Sequence, residues 1–261
     1  MAKNNLTLCL DIGNSQIFGG LFQNNDLQFT FRHDTTQSFT SDQIGIFLKA
    51  VLRENNIDPN KLTAIATASV VPPLDYSIHA ACKKYFNIEP FSLHSTSKTD
   101  LKIRYANPAE IGADLLAEAI AAMNFYPKKN VIIADFGTAT TICPISANKE
   151  FLGGLIIPGI RLCMESLQTN TAKLPTVRIV KPKKILGNTT IESIQAGLYY
   201  SQLATIKEVT QIITRKHFGN KTPIIIGTGG FAHMFSEENI FDTIMPNIVL
   251  DGLFLALKMN L

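Results

Sequence analysis

A chain of 261 residues, 46% hydrophobic and 17% charged, can bury one large core or two modest ones and has none of the composition of disorder. A net charge of +3, with Lys and Arg spread along the chain instead of gathered in an arm, speaks against nucleic acid as a partner and leaves an acidic small molecule open. The N-terminus has no signal-peptide stretch and no run reaches the roughly 20 apolar residues of a membrane helix, so the location expected is cytoplasmic.

The first apolar segments, LTLCL, QIFGGLF and LQFTFR, read as strands, the first two joined by a bend that carries Asp11, Gly13, Asn14 and Ser15. Those residue types also make an ordinary turn. SDQIGIFLKAVLREN places Ile44, Phe47, Leu48, Val51 and Leu52 at helical spacing behind Ser41 and Asp42 as capping residues. LTAIATASVV reads as a buried strand stopped by Pro72 and Pro73. In YANPAEIGADLLAEAIAAM, Asn107 is expected to cap a helix with Pro108 in its first turn and Glu110 in a capping box. Glu110, Asp114 and Glu118 then share one helical face, which is either solvated or turned to a cleft.

NVIIADFGTATTICPI begins the pattern again: Asp135 follows Asp11 by 124 residues, and each stands before a glycine between two apolar strands. The match in strand context argues for a duplicated α/β domain. Beyond it come a glycine-rich strand running into a helix (FLGGLIIPGIRLCMESL), a loop (TNTAKLPTVRIVKPKK), and a long helix begun at Thr190 or its neighbours. A strand ending in GTGG and an apolar helix, LDGLFLALKM, complete the series. The cysteines Cys9, Cys82, Cys143 and Cys163 lie far apart in apolar segments and read as buried thiols. The histidines, His33, His79, His94, His217 and His233, form no ligand spacing.

A bend with Asp and Gly suits a phosphate held through a cation. Glycine opens the backbone, Asn14 and Ser15 add donors, and the carboxylate of Asp11, itself an anion, holds Mg²⁺ instead of phosphate. Asp135, Gly137, Thr138 and Thr141 repeat that set, and the GTGG turn, Gly229 included, lets backbone approach a nucleotide closely. Asp114, ionised at neutral pH, is placed to accept a proton from an alcohol during phosphoryl transfer.

Taken together, DIGNS (11–15), NPAEIGAD (107–114), DFGTATT (135–141), GGLIIPG (153–159), TAKLP (171–175), IESIQAG (191–197) and GTGG (227–230) resemble the type III pantothenate kinases. That family belongs to the acetate and sugar kinase, Hsp70 and actin superfamily. The resemblance implies an α/β fold of two duplicated ribonuclease-H-like domains in the actin-like ATPase architecture, mixed sheets flanked by helices, here divided as 1–122 and 123–261. It implies ATP-dependent phosphorylation of pantothenate to 4'-phosphopantothenate, with Mg²⁺ and a monovalent cation, K⁺ or ammonium, in a homodimer. Asp11, Gly13, Asn14, Ser15, Thr138 and Gly229 then serve ATP, its phosphates and Mg²⁺. Asp114 is the base, and Asp135 serves the monovalent cation. Tyr105, Gly112, Ala113, Leu115, Thr171 and a partner's threonine equivalent to Thr190 line the pantothenate site. Leu115 departs from the family, which usually carries arginine there, and Arg104 and Arg161 are candidates to replace it. Asn188 also stands where the family more often has a basic residue. Leu115 leaves a non-catalytic accessory or regulatory relative as one alternative, and a kinase for another small alcohol stays open because fold alone does not fix substrate.

Overall fold

In the computed structural model, residues 5–219 and 221–261 are described. The first strands are β1 (Leu6–Ile12), β2 (Gln16–Gln23) and β3 (Asp26–Asp34), followed by α1 (Ser41–Glu54), β4 (Leu62–Ser69), α2 (Pro72–Phe86) and β5 (Phe91–Ser92). Next come β6 (Lys102–Ile103), α3 (Ala113–Phe125), β7 (Val131–Phe136), β8 (Ala139–Ile145), β9 (Glu150–Phe151), β10 (Leu155–Pro158) and α4 (Ile160–Thr169). The long α5 (Thr190–His217), β11 (Ile224–Thr228), β12 (Thr243–Ile244) and α6 (Ile248–Asn260) complete the chain.

Two units result. The first comprises the residues up to Asp100, Ala106–Ala122 and Ile248–Leu261; the second comprises Leu101–Tyr105 and Met123–Asn247. Sequence order alone divides the chain at 122 and 123, but α6 packs on β1, β2 and β4 of the first unit, and β6 pairs with β9 of the second. The reason for the first difference is area: Ile248, Leu250, Leu253, Phe254 and Leu257 are buried, and a helix so apolar needs a sheet face to cover it.

The first sheet runs β3-β2-β1-β4-β5, with β2 antiparallel to β1 and β3, and β4 parallel to β1 and β5. Successive β1 residues point to opposite faces. Leu8, Leu10 and Ile12, with Ile17 and Leu21 across the ladder, join the core that Ile44, Leu48 and Leu52 of α1 and Leu74 and Ile78 of α2 complete. Cys9 and Asp11 face the other way, where Phe22 stacks on Phe254 of α6 at 4.4 Å. There α6 crosses α3 so closely that a Cβ on Gly252 would stand 1.7 Å from the Ala117 carbonyl oxygen.

The second unit repeats the scheme. β8 lies antiparallel between β7 and β10, while β11 is parallel to β7 and β12, so the order β10-β8-β7-β11-β12 matches β3-β2-β1-β4-β5 strand for strand. β9 and β6 extend the β8 edge. The repeat read from Asp11 and Asp135 is therefore a repeat of topology.

Local boundaries differ from the sequence reading where caps compete. Thr40, one residue earlier than expected, caps α1, its hydroxyl accepting from the Gln43 N–H in a capping box. Pro72 and Pro73 end no strand directly; they fill the first turn of α2, where a missing N–H is harmless. Cys9, Cys82 and Cys143 are buried and Cys163 is half-buried, all as free thiols. Among the described residues no helix is long and apolar enough to cross a membrane, and no cluster of His, Cys, Asp and Glu could hold a metal unaided.

Candidate active site

At the first bend, the Gly13 N–H donates to the Gln16 carbonyl at 3.0 Å and so closes the turn itself. The expected nest is thereby reduced: what glycine contributes is space, since a Cβ there would stand 3.1 Å from the Gln16 oxygen. Thr35, just past β3, straps the bend, its hydroxyl donating to the Gly13 carbonyl at 2.7 Å and its N–H to the Ser15 carbonyl at 2.9 Å. Sequence reading missed Thr35 because only the β2–β3 register brings it there. Asn14 and Ser15 are exposed at the tip, and Asp11 is half-buried.

The expected single helix from Asn107 is two elements. Asn107 caps a 3-10 turn over Pro108–Glu110, its side-chain Oδ1 accepting from the Ala109 N–H and its side-chain amide donating to Glu110 Oε1. Ile111 is extended, and α3 begins at Ala113. Glu110 therefore does not share a face with Asp114 and Glu118. Nor is the α3 stretch a solvated stripe, since Glu118 is 4% exposed.

Asp114 occupies the first turn of α3, half-buried, with its carboxylate accepting the Leu115 N–H at 2.8 Å. Burial pushes its pKa above the ordinary carboxylate value, and hydrogen bonds from backbone N–H groups only partly oppose that. Gly112 makes the room: a Cβ at that position would stand 2.3 Å from Asp114 Oδ1 and 3.6 Å from Val70 Cγ1. Val70 in turn donates its N–H to the Ile12 carbonyl, next to Asp11. Asp11, Val70, Gly112 and Asp114 thus gather at one end of the first sheet. Ala113 and Leu115 are buried, each 8% exposed, among the apolar residues of α3.

In the second unit, Asp135 lies half-buried at the second bend, which Gly137 closes by donating to Ala139 at 3.1 Å. The GTGG turn meets it. Gly229 has φ +82, and a Cβ there would stand 2.1 Å from Asp135 Oδ1 and 2.6 Å from the Phe136 backbone, so only glycine fits. Thr138 is exposed at the tip, with its carbonyl accepting the Gly159 N–H. Thr141 stands directly across the ladder from Asp135, on the same face, with its hydroxyl buried and lacking a hydrogen-bond partner among the described residues.

Tyr105 packs edge-on against Phe151, near Gly153. Arg104, a candidate to replace the missing arginine, is paired with Glu150, whose carboxyl it holds below the usual range; Arg161 is exposed on the first turn of α4. Thr171 and Thr190 are both exposed. Thr171 donates to the Leu167 carbonyl, and Thr190 begins α5 behind Thr189, which is the cap. Leu162, Leu167, Leu174, Thr190 and Ile194 line an open cavity of about 940 Å³ between α4 and the start of α5.

Duplicated mixed sheets, each with an acidic bend at the end of its central strand, define the actin-like ATPase fold. Solved structures share it: the activator of 2-hydroxyisocaproyl-CoA dehydratase from Clostridium difficile, with bound ADPNP, superposes with TM-score 0.55 at 14% identity over 97% of this chain and 95% of that one. Component A of (R)-2-hydroxyglutaryl-CoA dehydratase from Acidaminococcus fermentans gives 0.52 at 12% over 97% and 96%. The type III pantothenate kinase family model matches residues 7–212. Type III pantothenate kinases of Legionella pneumophila strain Corby and Francisella tularensis subsp. holarctica strain OSU18 are 50% and 47% identical over 98% of this chain and 99% and 100% of theirs. The chain belongs to the type III pantothenate kinase family. It is a kinase that phosphorylates pantothenate in coenzyme A biosynthesis, with ATP and a divalent cation.

Proposed function

We propose that Asp114 is the base of the transfer to pantothenate. Its carboxylate accepts the proton of the pantothenate hydroxyl as that oxygen bonds to the γ-phosphorus. The bond from the γ-phosphorus to the β–γ bridging oxygen breaks, and ADP departs with the electron pair. The observation that carries this reading is the cradle of Gly112 and Val70, which holds a desolvated carboxylate at the sheet end where Asp11 also lies. A raised pKa makes that carboxylate a better proton acceptor than a free aspartate.

Asn14 and Ser15 at the first bend and Thr138 at the second receive phosphate oxygens, while Gly13 and Gly229 keep the backbone clear of side chains. Asp11 is a fitting ligand for Mg²⁺, which is commonly held by one or two carboxylates with phosphates and water instead of an all-protein cage. Bound there, Mg²⁺ offsets the charge developing on the phosphates. For the monovalent cation, K⁺ or ammonium, Asp135 offers the carboxylate and Thr141 a buried hydroxyl with no other partner among the described residues. Tyr105, Gly112, Ala113, Leu115 and Thr171 are assigned to the pantothenate site. The enzyme works as a cytoplasmic homodimer, its partner supplying the second threonine. The apolar exposure of Leu162 and Leu167, 41% and 36%, beside Thr190 supports an interface on α4 and α5.

Asp114→Asn, assayed for ADP release with pantothenate, ATP, Mg²⁺ and K⁺, is expected to lower kcat by about 10²–10⁴ with the KM for ATP held. Near-wild-type turnover in the folded variant would remove the base from Asp114.

A further inference from the structure

The first sheet has a second opening, on the face away from Asp11. Between α1 and β1–β3 lies a cavity of about 450 Å³. Close-packed interiors leave few voids larger than a water molecule, whereas ligand pockets span roughly 300–1,000 Å³ and are mostly apolar with a few placed polar groups. This space has that character. Leu10, Ile17 and Ile44 form its floor and are buried, Phe39 and Phe47 form half-buried walls, and Ile46, 60% exposed, stands at its mouth.

Three polar side chains line it, and two are already engaged at its exposed edge. Asp42 Oδ1 accepts from Lys84 at 2.7 Å and from the Tyr85 hydroxyl at 2.6 Å, and Gln43 closes the capping box with Thr40. His33 differs. Its ring is half-buried, set edge-on to Phe39 and Phe47 at 5.0 and 4.4 Å, so its plane is fixed by packing. Nδ1 lies 2.9 Å from the Asp34 carbonyl, which can only accept; Nδ1 therefore carries the hydrogen, and in the neutral ring Nε2 is an acceptor. Nε2 has no partner among the described residues. Two aromatic walls, an aliphatic floor and one oriented acceptor select a compact apolar body that bears a single hydroxyl.

We propose that this cavity binds a small amphipathic molecule whose apolar body packs between Phe39, Phe47 and Ile17 and whose hydroxyl donates to His33 Nε2. The site lies on the opposite face of β1 from Asp11, so its occupant does not compete with ATP.

The test uses the full chain and two probes of matched shape, 1-naphthol and 1-methylnaphthalene, titrated by calorimetry with ¹³C-methyl spectra recorded in parallel. The wild type is expected to bind both saturably, one per chain, with 1-naphthol about three- to tenfold tighter through its hydrogen bond. Methyl shifts should concentrate at Ile17, Ile44 and Ile46. His33→Leu should bring the two affinities together, and Ile46→Trp, a bulky change at an exposed mouth, should weaken both. Absence of saturable binding, methyl shifts centred elsewhere, or a 1-naphthol preference that survives His33→Leu would each overturn the proposal; the methyl spectra need no variant.

Discussion

Asp114 and Gly112 act as one device, because the carboxylate fills the volume that any larger residue at 112 would take. Gly112→Ala should therefore turn the carboxylate aside and lower kcat by about a hundredfold, since misplacement on the order of 1 Å costs that much. Circular dichroism should still report the folded chain. The pH profile has a definite sign. The proposed base works ionised, so with Asp114 in that role kcat/KM is expected to fall as pH drops through its pKa, which burial puts above the ordinary carboxylate value of 3.8. A wild-type acid limb at or below that ordinary value would contradict the assignment. The two bends beside Asp11 and Asp135 were legible in the sequence because Asp and Gly between two apolar strands mark a turn. Thr35 and Val70 were not: one is a threonine at a strand end and the other a valine in an apolar run, and only strand register gives either a role.

Among the elements, α6 carries an acid whose charge opposes its burial. Asp251, in its first turn, is pushed up to about 6 by desolvation; Cys9 is raised by its own burial first and by the nearby Asp251 second. A carboxyl with a raised pKa in the folded state binds its proton more tightly there than in the unfolded chain. Its contribution to stability is thus full below about pH 4 and is lost as pH rises through about 6. Asp251→Asn should accordingly stabilise the protein by about 1–2 kcal/mol at pH 8, allowing for partial exposure, and change little at pH 4. Urea titrations at the two values check it; an equal shift at both would mean that ionisation is not the cause. The strands and the longer helices were legible from periodicity. The break at Ile111 was not, because an Asn cap followed by Pro and Glu suits a 3-10 turn as well as the first turn of an α-helix.

At the scale of the molecule, the duplication was visible in two Asp–x–Gly bends and is completed by matching strand orders that no local pattern encodes. The proposed homodimer is tested by Leu162→Glu, which puts a charge on the exposed apolar face of α4. Sedimentation should shift toward monomer and the KM for pantothenate should rise, whereas an unchanged dimer would place the interface elsewhere. The unit assignment could not be read from sequence order, since nothing in LDGLFLALKM says which sheet it covers. That assignment bears on biogenesis. While the ribosome is still making β7 to β12, Cys9, Gly20 and Phe22 wait with the helix that will shield them not yet synthesised. Nascent chains halted in that window should be bound by hydrophobe-seeking chaperones through the earlier sheet, and released once residues 248–260 have cleared the exit tunnel.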